Sequence, residues 1–564
     1  MKKGITTISV LIIGAISVYL LGFKTNFDSV SPTSQTQTAS HTMSMGSTDP
    51  KAIPITSLVA PKTNAPVKTF NLTAEIANIR LGNGKTIEAW TYNGTSPGPE
   101  IRVKQGERVV VNLTNKLPVS LTIHWHGLDI PAAVDGVAGV TQDAVKPGGT
   151  YTYTFNADQV GTYWYHSHQN SALQTERGLF GTIVVEPKQA IVTYDKDYTI
   201  ALHEWDTKEN GNDSRDNGND NDDNNNFDKR NKKDGNKNQF DSNRFHEGNT
   251  AKRSSESYGV NDRKMTPSTK QWEALSDQND YDVFTLNGTS EGLHLDAKAG
   301  ELVRLRLVNT GNQTHLMTVP GVRFQVIALD GRDLVGGTPI ENTLLPIGPG
   351  QRYDISFRMP QKGSVQLINA DPSKQANQMM SATIGNGEPT AFNIDPKNFI
   401  WFDFSKYGTP QKGMFTVDSK FTKTYEMDLS EGLGLLNGQK EWVYTINGKA
   451  APDIPPIEMK KGDSVKVVLR NKGKDIHPMH LHGHTFQVIS KNGKPLEGSP
   501  VYLDTINIFP GETYEIAMKA NNPGLWMLHC HNLKHAANGM HTMMNYDGIS
   551  TPFTVGDHSG NHPE

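Results

Sequence analysis

The chain has 564 residues, 55 Lys and Arg against 59 Asp and Glu, and a net charge of −4, so no charge excess points to nucleic acid or acidic lipid. A single cysteine excludes an intramolecular disulfide framework, a zinc ribbon and a thiolate-held iron–sulfur cluster. Once two segments too polar to bury a core are set aside, about 440 residues remain, room for three domains of about 150.

In chain order, a basic start with Lys2 and Lys3 precedes an apolar run over residues 5–23. That run exceeds the roughly 7–15 residues of a signal-peptide core and approaches the roughly 20 that span a bilayer. Residues 1–23 are therefore expected to be an uncleaved signal anchor in preference to a cleaved signal peptide, leaving the body outside the cytoplasm. Residues 24–64, rich in Ser, Thr, Gln and Lys, are expected to be a flexible linker.

The first domain is expected over 65–190. It contains GERVVVNLTN (106–115), whose alternating apolar and polar residues give the period of a strand with one buried face. His124 and His126 stand nine and eleven residues after Asn115. Pro147-Gly148 then opens a second alternating segment, and His166 and His168 follow Gly161 by five and seven residues.

The second domain is expected over 191–410. Its 206–270 segment, dominated by Asn, Asp and Lys, reads as a solvated disordered insertion. The same strand pattern returns in GELVRLRLVN (300–309), with Pro349-Gly350 and Gly363 after it. Here the four counts reach Thr318, Pro320, Ile368 and Ala370, and no histidine.

The third domain is expected over 411–556, before a short tail at 557–564. Its strand is GDSVKVVLRN (462–471), followed by Pro510-Gly511 and Gly524, and the counts give His480, His482, His529 and His531. Three copies of one small unit, with turn signals and almost no helical period, predict an all-β fold of antiparallel sandwiches or barrels.

On a strand, residues i and i+2 share a face, so each His-x-His pair turns both rings to one side. Neutral imidazole suits copper, zinc, iron and nickel, and eight rings exceed the needs of one ion. Three metals shared between the first and third domains are the natural count. In His529-Cys530-His531 the same alternation sends the Cys530 sulfur to the opposite side. With His477, His535 and Met540 it forms the two-His, one-Cys set with a weak axial Met that suits an electron-transfer copper. His203, His246, His294, His558 and His562 fit no pattern and read as ordinary histidines.

The motifs HWHG (124–127), HSH (166–168), HPMHLHGH (477–484) and HCHNLKHAANGM (529–540) resemble the four copper signatures of the multicopper oxidases, a family including laccases and cuprous oxidases. The resemblance spans roughly 65–556, apart from the insertion, and implies three consecutive cupredoxin-like domains. It implies four coppers per chain: type 1 held by His477, Cys530, His535 and Met540, type 2 by His124 and His480, and a type 3 pair by His126, His166, His168, His482, His529 and His531. His484 and His541 fall outside the pattern and read as structural or as supports behind the ligands. The implied reaction takes electrons singly at the type 1 copper and reduces O2 to two waters at the other three.

Asp135 stands where bacterial members carry an acid beside the cluster, which gives it the expected role of orienting water and passing protons. Some bacterial relatives place Glu directly after the residue matching His535, where this chain has Ala536. The implied reductants are phenols or Cu(I), Mn(II) and Fe(II), with cuprous oxidation in copper resistance as the alternative main role. The 17 methionines form close groups only at Met43/Met45, Met379/Met380 and Met543/Met544, so core packing is the expected role of most. Ligands drawn from two domains of one chain need no oligomer, and a monomer is expected.

Overall fold

A computed structural model describes residues 46–82, 84–207, 268–276, 278, 281–371, 380–388, 399–436 and 438–564. The expectations for residues 1–23, the linker up to residue 45, most of the 206–270 insertion, His246, Met43, Met45 and Met379 lie outside the described residues. Among the described residues no helix is long and apolar enough to cross a membrane.

The fold is almost entirely β: three successive pairs of sheets, the cupredoxin-like architecture, and a two-stranded sheet that pairs Ile53–Pro54 with Ile549–Ser550. The repeated sequence pattern forms the same strand each time: Arg108–Asn115, Leu302–Asn309 and Ser464–Asn471. In each pair of sheets this strand runs parallel to one neighbour and antiparallel to the strand that the Pro-Gly turn introduces, Thr150–Asn156, Arg352–Arg358 or Thr513–Lys519. The turn glycines Gly148, Gly350 and Gly511 sit at φ near +80°, a region that L side chains avoid.

Each repeat ends in Asn for a physical reason. Asn115 Nδ2 donates to the carbonyls of Val119 and Val145, Asn309 Nδ2 to those of Gln313 and Ile347, and Asn471 Nδ2 to those of Asp475 and Ile508, all at 2.7–2.9 Å. Each amide therefore ties the loop that follows to a neighbouring strand, and satisfies buried carbonyls that would otherwise lack donors.

The second sheet of each outer domain carries the histidines. In the first, His124–His126 pairs with Gly161–His166, setting His124 opposite His166. In the third, His477–Leu481 pairs with Leu525–Cys530, setting His480 opposite His529 and Met479 opposite Cys530. The middle domain lies against both. Arg352 is fully buried; its guanidinium donates to Thr162 O of the first domain at 3.0 Å and grips Asp504 of the third through two bonds of 2.7 and 2.5 Å.

Candidate metal centre

The structure brings the eight histidines of the two outer domains into one buried group. Across the domain boundary the ring of His124 stacks on His482 and that of His126 on His480, both with centroids 3.8 Å apart. His166 lies 5.3 Å from His531, and His168 lies 5.4 Å from His529. Donor atoms within 4.8 Å of one another group as His126, His166 and His531; as His168, His482 and His529; and as His124, His126 and His480.

Most rings are held from outside and open inward. The Nδ1 atoms of His124, His166, His168, His480 and His529 face the carbonyls of Asp135, Ser167, Pro563, Asp504 and Cys530 at 2.9–3.1 Å, and His482 Nδ1 faces Asp135 Oδ2 at 2.9 Å. His126 is reversed: Nε2 is bonded to Thr505 Oγ1 at 3.1 Å. The opposite nitrogens, His124 Nε2, His126 Nδ1, His166 Nε2, His168 Nε2 and His480 Nε2, are buried without a partner, as are both nitrogens of His531. His482 Nε2 and His529 Nε2 face each other at 3.1 Å. Buried nitrogens aimed together, on rings that, His531 apart, are oriented through the other nitrogen, are the donor arrangement of metal ligation.

Electrostatics agree with this arrangement. Burial first, and neighbouring imidazoles second, hold His126, His480 and His482 well below the usual histidine range. Burial likewise lowers His529 to about 3. Neutral rings carry the lone pairs that a cation needs.

Cys530 lies on the other side of the same strand. Its Sγ is 3.6 Å from His535 Nδ1 and 3.8 Å from His477 Nδ1, and the carbonyl of buried Met540 accepts the Cys530 N–H at 3.0 Å. Burial pushes the Cys530 thiol far up and holds His535 well down, so only a bound cation would stabilise the thiolate. The helix Leu533–Ala537, capped by Asn532 accepting from the His535 N–H, places His535. Tyr444 stacks on the His535 ring at 3.8 Å and donates to Asp475 at 3.1 Å. These three residues, with Lys534, Asn312 and Tyr281, line a cavity of about 120 Å3.

Asp135 Oδ1 lies 3.2 Å from His124 Nδ1, so this one carboxylate touches a histidine of each outer domain. Gly136 is required beside it, because a Cβ there would fall 1.8 Å from Ile123 O. His484 links Tyr546, through Nε2 at 2.7 Å, to the carbonyl of His482, through Nδ1 at 3.1 Å, and His541 Nδ1 faces Ala536 O at 2.9 Å.

Four supports of the cluster act in a way that no local sequence pattern signals. Asp504 Oδ1 lies 3.2 Å from His126 Nε2 and is itself held by Arg352. Thr505 Oγ1 lies 3.1 Å from both His126 Nε2 and His480 Nδ1. A Cβ at Gly350 would come within 3.0 Å of His531 and His126, so this turn packs directly on the rings. Residues 557–564, expected as a mere tail, cover the cluster: Pro563 O holds His168, and Glu564 lies 3.4 Å from His529 and accepts from Ser171. Burial raises the Glu564 carboxyl to about 8.

Three family models, each described as multicopper oxidase, match residues 73–190, 196–389 and 425–548. The multicopper oxidase MmcO of Mycobacterium tuberculosis is 28% identical, over 85% of this chain and 87% of its own. Copper resistance protein A of Escherichia coli is 25% identical (84% and 91%), and Laccase-2 of Botryotinia fuckeliana 28% (81% and 78%). The crystal structure of a multi-copper oxidase from Pseudomonas thermotolerans superposes with a TM-score of 0.61 at 26% identity, covering 86% of this chain and all of that one. Fet3p, at 22% identity and a TM-score of 0.64, shares the fold.

Proposed function

Since the chain belongs to the multicopper oxidase family, and so is a copper-dependent oxidoreductase that uses O2, we propose that it couples four one-electron oxidations of a phenolic or low-valent metal reductant to the four-electron reduction of O2 to water. One observation carries this reading. Eight imidazoles from two domains converge behind a strand whose single cysteine faces two further histidines on its other side.

We assign the type 1 site to His477, Cys530, His535 and Met540, and the type 2 site to His124 and His480. The type 3 pair falls to His126, His166 and His531 for one ion and His168, His482 and His529 for the other, the grouping that the donor distances support. Copper in these sites supplies one-electron transfer and oxygen reduction.

The chain's own residues do the rest. His535 borders the cavity where a reductant docks, and Tyr444 holds its ring in place by stacking. The Cys530 backbone joins the sulfur side of the strand directly to His529 and His531, a covalent path between the two metal regions. Asp135 holds His482 Nδ1 through Oδ2, and its Oδ1 is the nearest carboxylate oxygen to His124, where it can pass a proton. Arg352 grips Asp504 through two hydrogen bonds and so fixes its carboxylate beside His126 in the dry interior.

Similarity to proteins called copper resistance protein A supports a second reading, in which Cu(I) oxidation is the main role. Both readings place the catalytic body outside the cytoplasm, as a monomer, with domains near 65–190, 191–410 and 411–556. Copper counting and oxygen uptake test the assignment: four coppers per chain and uptake with either a phenol or Cu(I) support it. A copper-loaded chain that consumes no O2 with either reductant is a carrier or store instead. The ratio of the two rates decides between the readings.

A further inference from the structure

The middle domain supplies no imidazole to the cluster, yet strand register places other donors in it. His315 stands six residues after Asn309, as His477 stands six after Asn471. Met317 pairs with Asn369 where Met479 pairs with Cys530, so Asn369 occupies the cysteine position. The Asn369 N–H donates to Met380 O at 3.0 Å, the same bond that Cys530 makes to Met540 O at 3.0 Å, so Met380 occupies the axial methionine position.

The carboxylate behind the histidine is duplicated as well. Leu202 pairs with Asn309 and Leu429 with Asn471, which makes Glu204 and Glu431, two residues on, equivalent. His315 Nε2 lies 3.1 Å from Glu204 Oε2, and His477 Nε2 lies 3.8 Å from Glu431 Oε2. Each glutamate accepts a backbone N–H from the loop after its Asn, Gln313 at 2.8 Å and Lys474 at 2.7 Å. In the first domain the corresponding positions hold Leu121, Ser167 and Leu179, with the Ser167 N–H donating to Leu179 O. That domain keeps the fold without the donors.

Two polar atoms in the middle frame are buried and unpartnered: His315 Nδ1 and Asn369 Nδ2. Nδ1 is the atom that faces Cys530 in the third domain. A buried imidazole oriented by a carboxylate through its far nitrogen, with the near nitrogen left open, is poised as a ligand. Position 374, five residues after Asn369, is Lys and lies outside the described residues, so no counterpart of His535 is included.

We propose that the middle domain retains the frame of a type 1 copper site with its thiolate replaced by Asn369, and that this frame takes one soft monovalent d10 cation, Cu(I) or Ag(I), through His315 and Met380. Imidazole plus thioether without thiolate favours such a soft ion over a hard divalent one. The burial of His315, Asn369 and Met380 makes the site slow to exchange.

The test uses the full-length copper-loaded enzyme, treated with Ag(I), desalted, and weighed by native mass spectrometry. One silver is expected in addition to the four coppers. Met380→Leu, a near-isosteric change, should lower silver retention by about tenfold or more while copper content and blue absorption stay at wild-type values. Asn369→Cys should gain a further copper and added thiolate-to-copper absorption. Failure of the wild type to retain silver, equal retention by Met380→Leu, or an Asn369→Cys spectrum identical to wild type would each overturn the proposal. The four coppers are counted in the same spectrum, so failure of the multicopper reading registers separately.

Discussion

The middle and third domains are built on one plan and used differently. Both have the strand ending in a bracketing Asn, the Pro-Gly turn, and a histidine backed by a buried glutamate. Only the third adds His480, His482, His529, Cys530 and His531. The fold therefore does not need the ligands, and the ligands sit where strand alternation makes them face a neighbouring domain. The middle domain's part in the chemistry is mechanical: Gly350 packs on the rings and Arg352 holds Asp504.

That division of labour can be broken from the middle domain. Gly350→Val should be the most damaging change, because its Cβ would fall 2.9 Å from His531 and 3.0 Å from His126. Copper content should drop, and turnover should fall by about 100-fold or more, measured by metal analysis and oxygen uptake. Arg352→Met leaves Asp504 buried without its cation and should cost about 3–5 kcal/mol of stability, read from denaturant midpoints. If Arg352→Met were neutral, the middle domain would be a spacer.

The outer domains are probed by Asp135→Asn. It keeps the shape but removes the charge that touches both His124 and His482, so turnover should fall about 10–100-fold with the blue colour intact. Unchanged turnover removes Asp135 from proton handling.

A smaller and graded effect is expected from pH. Burial holds His529 at about 3, and His203 and His484 at about 4, against an ordinary 6.5. Between those values the unfolded chain binds more protons than the folded one, so stability rises with pH. Copper-free protein should therefore lose stability progressively from about pH 6.5 down to pH 4, as followed by urea unfolding. Bound copper should raise stability but keep that slope at least as steep, and extend it to lower pH, because ligated imidazole resists protonation while the unfolded chain still takes up its protons. A flat slope without copper would mean that the cluster opens to water.

Much of this was legible in the sequence because the signals are local. The Gly-to-Asn strands, the Pro-Gly turns and the His-x-His pairs each fall within a dozen residues, and their spacing is fixed by strand period. Asp504, Arg352 and Glu564 were not legible, since each acts through a partner in another domain and belongs to no short pattern; Gly350 was legible as a turn glycine but not as a contact with the rings of other domains. The middle-domain histidine escaped for a different reason. Counting nine and eleven residues from Asn309 reaches Thr318 and Pro320, whereas His315 stands at six, the position of His477, the proposed type 1 ligand. Register between strands, which only the fold supplies, shows that equivalence.

Cys530→Ser in the copper-loaded enzyme tests the central claim most directly, by absorption, copper count and oxygen uptake together. The account predicts loss of the band near about 600 nm, retention of about three coppers at the histidine cluster, and oxygen uptake reduced to background. Undiminished oxygen uptake by that variant would contradict it.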